Sequence, residues 1–79
     1  MVDLIFLPDK EVVVIDTATA ITTILLLFGG VKITAISDNS EVANLSGDIE
    51  MITLPANSGK YSITSSGNSK IAVVRMFYI

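Results

Sequence analysis

The chain has 79 residues and a formal net charge of −3, and it contains neither cysteine nor histidine. Without cysteine it can form no disulfide and no thiolate metal site. Without histidine it lacks the commonest general base and metal ligand of proteins. Its five basic residues are spread along the chain and form no basic cluster, which argues against nucleic-acid binding. The length fits a single domain over residues 1–79.

The composition is unusually apolar for so short a chain. Hydrophobic residues make up 51% of the sequence and charged residues only 16%, whereas charged residues make up about 25% of an average soluble protein. A domain of this size buries only about 60% of the surface that its unfolded chain exposes. The surplus apolar surface therefore predicts that the protein has a partner surface to cover it.

The first segments of the chain predict two strands. Val2–Leu7 reads as a strand, and the Pro-Asp-Lys that follows it predicts a type I turn. Residues 11–15, EVVVI, predict a second strand that is apolar on both faces and lies in the middle of a sheet or against another chain. Residues 16–19 are a polar connector.

The stretch over residues 21–37 consists of two apolar runs on either side of Gly29 and Gly30. Its β-branched residues favour strands, and two glycines can both adopt the positive φ of a type I′ turn. We therefore predict a hairpin whose core-facing side pairs Phe28 with Val31, Leu26 with Ile33, and Ile24 with Ala35. The opposite side is mixed, and it pairs Leu27 with Lys32, Leu25 with Thr34, and Thr23 with Ile36. A membrane helix is excluded because the uncharged run covers only residues 17–31, and a span needs about 20 apolar residues.

The rest of the chain predicts one long loop and three strands. Residues 38–48 form the longest polar segment and predict a flexible loop. Residues 49–54 predict a strand with Ile49, Met51 and Thr53 on one face, and residues 55–59 predict a turn. Lys60–Ser65 should point Tyr61 and Ile63 inward. Residues 66–68 should form a hairpin, with a two- or a three-residue loop, that leads into a last strand over 69–79. The pattern predicts an all-β domain, a small antiparallel β-sandwich or flattened barrel of about seven strands.

Several polar groups are candidates for a metal site or a catalytic site. Calcium could be bound by oxygen ligands from Asp38, Asn39, Ser40, Glu41, Asp48 and Glu50. Their spacing does not match an EF-hand loop, so a solvated loop is the better interpretation. The acids Asp9, Glu11 and Asp16 could act as paired carboxylates in glycoside chemistry. They are better interpreted as solubilising residues at the ends of an apolar strand. The serines lack a G-x-S-x-G motif and a histidine base. We therefore predict no catalytic residues, no metal and no cofactor.

Arg75 and its apolar neighbours are the candidates for a partner surface. As the only arginine, in an apolar strand, Arg75 could anchor a partner or pair within the chain with Asp3, Asp16 or Glu50. Both interpretations can hold in an oligomer. The predicted interface residues are Leu25, Leu27, Ile36, Val74, Arg75, Met76 and Tyr78.

The segments VDLIFLPDKEVVVI and SGKYSITSSGNSKIAVVRMFYI resemble small phage virion structural proteins, in particular capsid decoration (cement) proteins. The resemblance is one of composition, because these proteins are short, free of cysteine, and rich in Thr, Ser and β-branched residues. It implies a non-catalytic homo-oligomer, a homotrimer, that binds a capsid shell in the virion. The alternative is a small acidic binding module or inhibitor that covers a partner protein. The start of the chain lacks the basic region of a signal peptide, so we expect synthesis in the cytoplasm and no membrane partner.

Overall fold

A computed structural model describes residues 2–47 and 49–77 of the chain. Every regular element in this part of the chain is a β-strand. The strands are β1 (Val2–Leu7), β2 (Val12–Asp16), β3 (Ala20–Phe28), β4 (Gly30–Ala35), β5 (Glu41–Ser46), β6 (Glu50–Leu54), β7 (Lys60–Ser65) and β8 (Ser69–Phe77).

The strands form two four-stranded antiparallel sheets. Sheet 1 has the order β1-β8-β3-β6, and sheet 2 has the order β2-β7-β4-β5. Only β4 and β5 are consecutive strands that pair with each other, and each of the other connections crosses between the sheets. This strand order is that of a jelly roll. The predicted all-β sandwich is confirmed, with eight strands in place of about seven.

The core lies between the two sheets and is filled by the inward residues of all eight strands. Alternate residues of a strand point to opposite faces, so each strand contributes every second side chain. The buried apolar residues of this core are Leu7, Ile15, Ile24, Leu26, Val31, Ile33, Leu45, Leu54, Tyr61, Ile63, Ile71 and Val73. As predicted, Tyr61 and Ile63 point inward from β7.

The predicted hairpin at Gly29 and Gly30 is wrong, because β3 and β4 lie in opposite sheets and do not pair. Leu26 and Ile33 are both buried, but they reach the core from different sheets. Every second residue of a strand points into the core, whether the two strands pair in one sheet or lie in opposite sheets. The apolar pattern therefore identified the inward residues but not the pairing.

The corner between β3 and β4 is built around Ser69, the first residue of β8. The Ser69 hydroxyl accepts a hydrogen bond from the Gly30 N–H at 3.0 Å, and it lies 2.8 Å from the Gly30 carbonyl, to which it can donate. Gly29 has a φ of +89°, whereas Gly30 does not adopt a positive φ as the predicted turn required. A Cβ on Gly29 would lie 2.7 Å from Cα of Ser69. Gly29 is therefore needed both for its conformation and for this close approach.

The segment predicted as a flexible loop, residues 38–48, contains β5. This strand pairs with β4, and its Leu45 is buried opposite Val31. The prediction is wrong because β5 has one large inward side chain and exposes polar residues, a composition that resembles a loop. Asp48 lies outside the described residues.

The predicted position of the second strand in mid-sheet is also wrong. β2 is an edge strand of sheet 2, and its Val12 and Val14 are exposed on the outer side. In the turn before it, the Glu11 N–H donates to the Pro8 carbonyl at 3.0 Å, which makes Pro8 the first residue of the turn. Lys10, the third residue, has a φ of +64°. A type I turn has a negative φ at this position, so the predicted turn type is wrong.

The turn over residues 66–68 exists but closes no hairpin. It joins β7 in sheet 2 to β8 in sheet 1, as the corner at Gly29 joins β3 to β4. The predicted hairpin between these two last strands is therefore wrong for the same reason.

Removing the Leu26 side chain should strongly destabilise the fold. Leu26 is completely buried, and we expect Leu26→Ala to lower the free energy of unfolding by about 2–5 kcal/mol. Val12→Ala, on the exposed outer side of sheet 2, should change it by less than about 0.5 kcal/mol. Urea unfolding of the two variants measures the difference. Equal midpoints would contradict the inward position of Leu26.

The two glycines Gly29 and Gly67 offer a matched test of the corner. Both have a positive φ, but Gly67 has open space where a Cβ would lie. Gly67→Ala should therefore cost only the backbone term of about 1–2 kcal/mol, whereas Gly29→Ala should cost clearly more because it also displaces Ser69. Thermal unfolding of both variants compares them, and equal losses would show that the close approach contributes nothing.

Candidate interaction surface

The outward side chains of sheet 1 form rows that run across the sheet. The register places the residues of one row opposite each other on neighbouring strands. One row consists of Leu4, Ala72, Leu25 and Met51. The next consists of Val2, Val74, Thr23 and Thr53, in which the two threonine hydroxyls are hydrogen-bonded at 3.0 Å. Both rows are free of charge across the full width of the sheet.

A third row, at one end of the sheet, contains two phenylalanines and a lysine. The register puts Phe6 and Phe28 on either side of Lys70, and the ring centroids of the two phenylalanines are 6.4 Å apart. Lys70 is half-buried, as expected when a lysine lays its aliphatic stem along apolar neighbours and keeps its ammonium group in water. Among the described residues that point outward from sheet 1, Lys70 is the only charged one.

We call this surface the apolar face, and its exposed large side chains are Val2, Leu4, Phe6, Phe28, Ile49, Met51 and Met76. Ile49 directly precedes β6 and is exposed together with Met51 and Thr53, as the sequence predicted. These seven large side chains are 45–70% exposed. At about 200 Å² for a large side chain, they present on the order of 800 Å². Soluble monomers rarely expose a patch above about 300–600 Å², so the apolar face has the properties of an interaction site.

The outer side of sheet 2 differs sharply in composition. Its middle strands present Lys60, Ser62, Thr64, Lys32 and Thr34 to solvent. Its exposed large apolar residues are Val12 and Val14 on the edge strand β2, Val42 on the edge strand β5, and Ile36 just after β4. An antiparallel sheet with one wet face normally has this polar surface. The domain is therefore two-sided, and only sheet 1 presents a broad apolar surface.

The predicted interface residues do not all lie together. Leu25, Val74 and Met76 point outward from the middle strands of sheet 1, and Leu27 lies at the bulge of β3, half-buried. Ile36 follows β4 on the side of sheet 2, where its N–H donates to the Lys60 carbonyl at 3.0 Å. It was grouped with Leu25 only because of the incorrect hairpin.

Arg75 is half-buried on the inward side of β8, opposite Thr22. It shares this side with Ile71 and Val73, so it is not part of the apolar face. Tyr78 lies outside the described residues.

Six exposed residues of the apolar face were not predicted as interface, namely Val2, Leu4, Phe6, Phe28, Ile49 and Met51. The alternation in VDLIFL contained the signal for three of them. It separates Val2, Leu4 and Phe6 from the inward Ile5 and Leu7. Which sheet this outward set joins depends on the pairing of β1 with β8, which local pattern does not reveal.

The serine and threonine hydroxyls tie turns to strands at the two ends of the sandwich. The buried Thr17 hydroxyl donates to the Gly59 carbonyl at 2.7 Å, and Tyr61 donates to the Ser58 hydroxyl at 2.8 Å. At another turn the Ser65 hydroxyl donates to the Pro8 carbonyl and accepts the Glu11 N–H at 2.9 Å. These hydroxyls therefore hold the polypeptide at the corners between sheets.

The acidic residues likewise cap turns. The Asp38 carboxylate accepts hydrogen bonds from the hydroxyl of Ser40 at 2.7 Å and from its N–H at 3.1 Å. These bonds, the hydroxyl first, hold the pKa of Asp38 below its usual value. Asp9 accepts the Gly67 N–H at 2.7 Å, and Asp16 accepts the Ala18 N–H at 2.9 Å.

The described residues bring no three acidic side chains together as potential metal ligands, and they form no pocket. Of the acids considered for calcium, Glu50 instead accepts the Ser46 N–H at 3.0 Å. The broad apolar face is therefore the main feature of this part of the chain that fits a binding role.

Comparison of the chain with protein families, curated proteins and solved structures found no match. The part of the chain that the structure describes contains no helix that is long and apolar enough to cross a membrane.

The pKa of Asp38 offers a check on the turn at residues 38–40. Ser40→Ala removes the hydroxyl donor, so the pKa of Asp38 should rise toward its usual value in an NMR titration. Because the folded-state pKa is lowered, the bond stabilises the fold above the unfolded pKa and is lost as the pH falls through the folded one. Ser37→Ala removes a neighbouring hydroxyl and should leave the pKa of Asp38 unchanged. An unchanged pKa in Ser40→Ala would contradict the assigned bond.

Proposed function

We propose that the chain is a non-catalytic structural protein that self-associates and binds a larger assembly, as capsid decoration proteins bind a phage shell. The observation that supports this most strongly is the apolar face, on the order of 800 Å² on one side of a small domain. A large exposed apolar patch on a soluble protein marks a surface that is covered in use. A small domain with one apolar and one polar outer face suits a protein that is added to an assembly of other subunits.

The composition and the fold are consistent with this proposal, but they do not distinguish it from other functions. The chain lacks histidine and cysteine, which are the commonest catalytic bases and nucleophiles beside serine. Jelly rolls occur in viral capsid domains, but they also occur in lectins and cupins. Fold alone does not define function, so the proposal depends on the surface.

The second candidate is a small acidic module that covers a partner protein. The net charge of −3 favours it, because acidic proteins associate faster with basic partners. The apolar face is uncharged apart from Lys70, however, so the acidic groups would act at the rim of such a contact and not at its centre. Association that weakens strongly with salt would favour this candidate.

The proposed function predicts a fixed stoichiometry in particles. Quantitative mass spectrometry of virus particles purified from the source of the gene should find the chain in a constant ratio to the main shell subunit. Particles that lack the chain would contradict the proposed function.

A further inference from the structure

We propose that two copies of the chain pack through their apolar faces across a two-fold axis, sheet 1 against sheet 1. This inference rests on the proposed function, because it names the surface through which the proposed self-association takes place. It follows from three properties of the apolar face, namely its distribution, its area and its charge.

The distribution of apolar surface favours a two-fold contact. A two-fold axis brings the same surface of both copies together, so one apolar face per chain is enough. A three-membered ring needs two different complementary surfaces on every chain. The middle of the outer side of sheet 2 presents lysines and hydroxyl residues, so it offers no second broad apolar surface. The homotrimer implied by the resemblance would leave much of the apolar face uncovered or opposite these polar groups.

The area of the apolar face matches what a stable pair of subunits needs. Specific interfaces bury about 800 Å² on each partner, and the seven exposed side chains of the face present an area of that order. The outward side chains of two such sheets can interdigitate at a spacing of about 10 Å, as the inner faces of a sandwich do. The pair would then consist of four stacked sheets.

The charge of the apolar face permits two identical surfaces to meet. The two uncharged rows cross the middle strands β8 and β3, so no like charges oppose each other at the centre. Lys70 lies in the end row between Phe6 and Phe28, where its ammonium group can extend to the rim. A partner of opposite charge is therefore not required to neutralise the face.

Glutamate substitutions on the two sheets form a matched pair for the test. Leu4 and Val14 are 63% and 55% exposed and lie on the edge strands β1 and β2 of sheets 1 and 2. Light scattering should give the wild-type chain twice its monomer mass of 8.4 kDa. Leu4→Glu should raise the dissociation constant of the pair at least about tenfold, whereas Val14→Glu should leave it unchanged. Circular dichroism checks that both variants are folded.

Cross-linking tests which surfaces meet, even if Leu4→Glu fails to fold. Because the chain has no cysteine, Val74→Cys and Thr64→Cys each introduce a single thiol on a middle strand, pointing outward from sheets 1 and 2. A short bis-maleimide should join two copies of Val74→Cys and should not join Thr64→Cys.

The outcomes separate this inference from the proposed function. A monomer at tens of micromolar, a plain trimer, or equal effects of the two glutamate variants would overturn the two-fold pairing. Preferential cross-linking of Thr64→Cys would overturn it too. A trimer found in particles at constant stoichiometry would overturn the pairing and still support the proposed function. A two-fold pair that is absent from particles would support the pairing and contradict the structural role.

Discussion

The contact between Ser69 and the Gly29-Gly30 corner is the constraint on which the two-sheet arrangement depends. One hydroxyl engages both backbone groups of Gly30, so it replaces bonds that a hairpin partner would have made. The lack of a Cβ on Gly29 brings the end of β3 against the start of β8, which are neighbours in sheet 1. From this point β4 departs into sheet 2 and carries Val31 and Ile33 to the opposite side of the core.

Much of the fold could be predicted from local pattern, because burial and alternation are local properties. The bounds of Val2–Leu7 and Lys60–Ser65 agree with the prediction, and Leu26, Ile33, Tyr61 and Ile63 lie in the core as expected. Phe28, which the hairpin register placed in the core, is 45% exposed. Pairing is not local. A glycine pair permits a tight hairpin and a corner between sheets equally well, and the choice depends on Ser69, which lies 39 residues after Gly30. β5 is not recognisable in the sequence because Leu45 is its only large buried residue, and the burial of Leu45 depends on pairing with β4.

The candidate surface was predicted less well, for the same reason. The surplus of apolar residues correctly indicated that a broad surface would be left exposed, and Met76 lies on it. Its members come from four strands whose order in the sheet is 1-8-3-6, so neighbours on the face are distant in sequence. Leu4, Ala72, Leu25 and Met51 form one row only because of this order. Ile36 and Arg75, also predicted as interface residues, lie off this face, Ile36 beside sheet 2 and Arg75 on the inward side of β8.

The scarcity of hairpins also has a kinetic consequence. Apart from β4 with β5, the strand pairs join segments far apart in the chain, and Val2 pairs with Val74. Chains dominated by such distant contacts fold slowly, because long loops must close before any pairing is gained. During synthesis, sheet 1 lacks β8, the strand that lies between β1 and β3, until residues 69–77 have left the ribosome. Until then β1, β3 and β6 expose apolar side chains and unpaired edges together, and this interval is when the chain is most prone to aggregate.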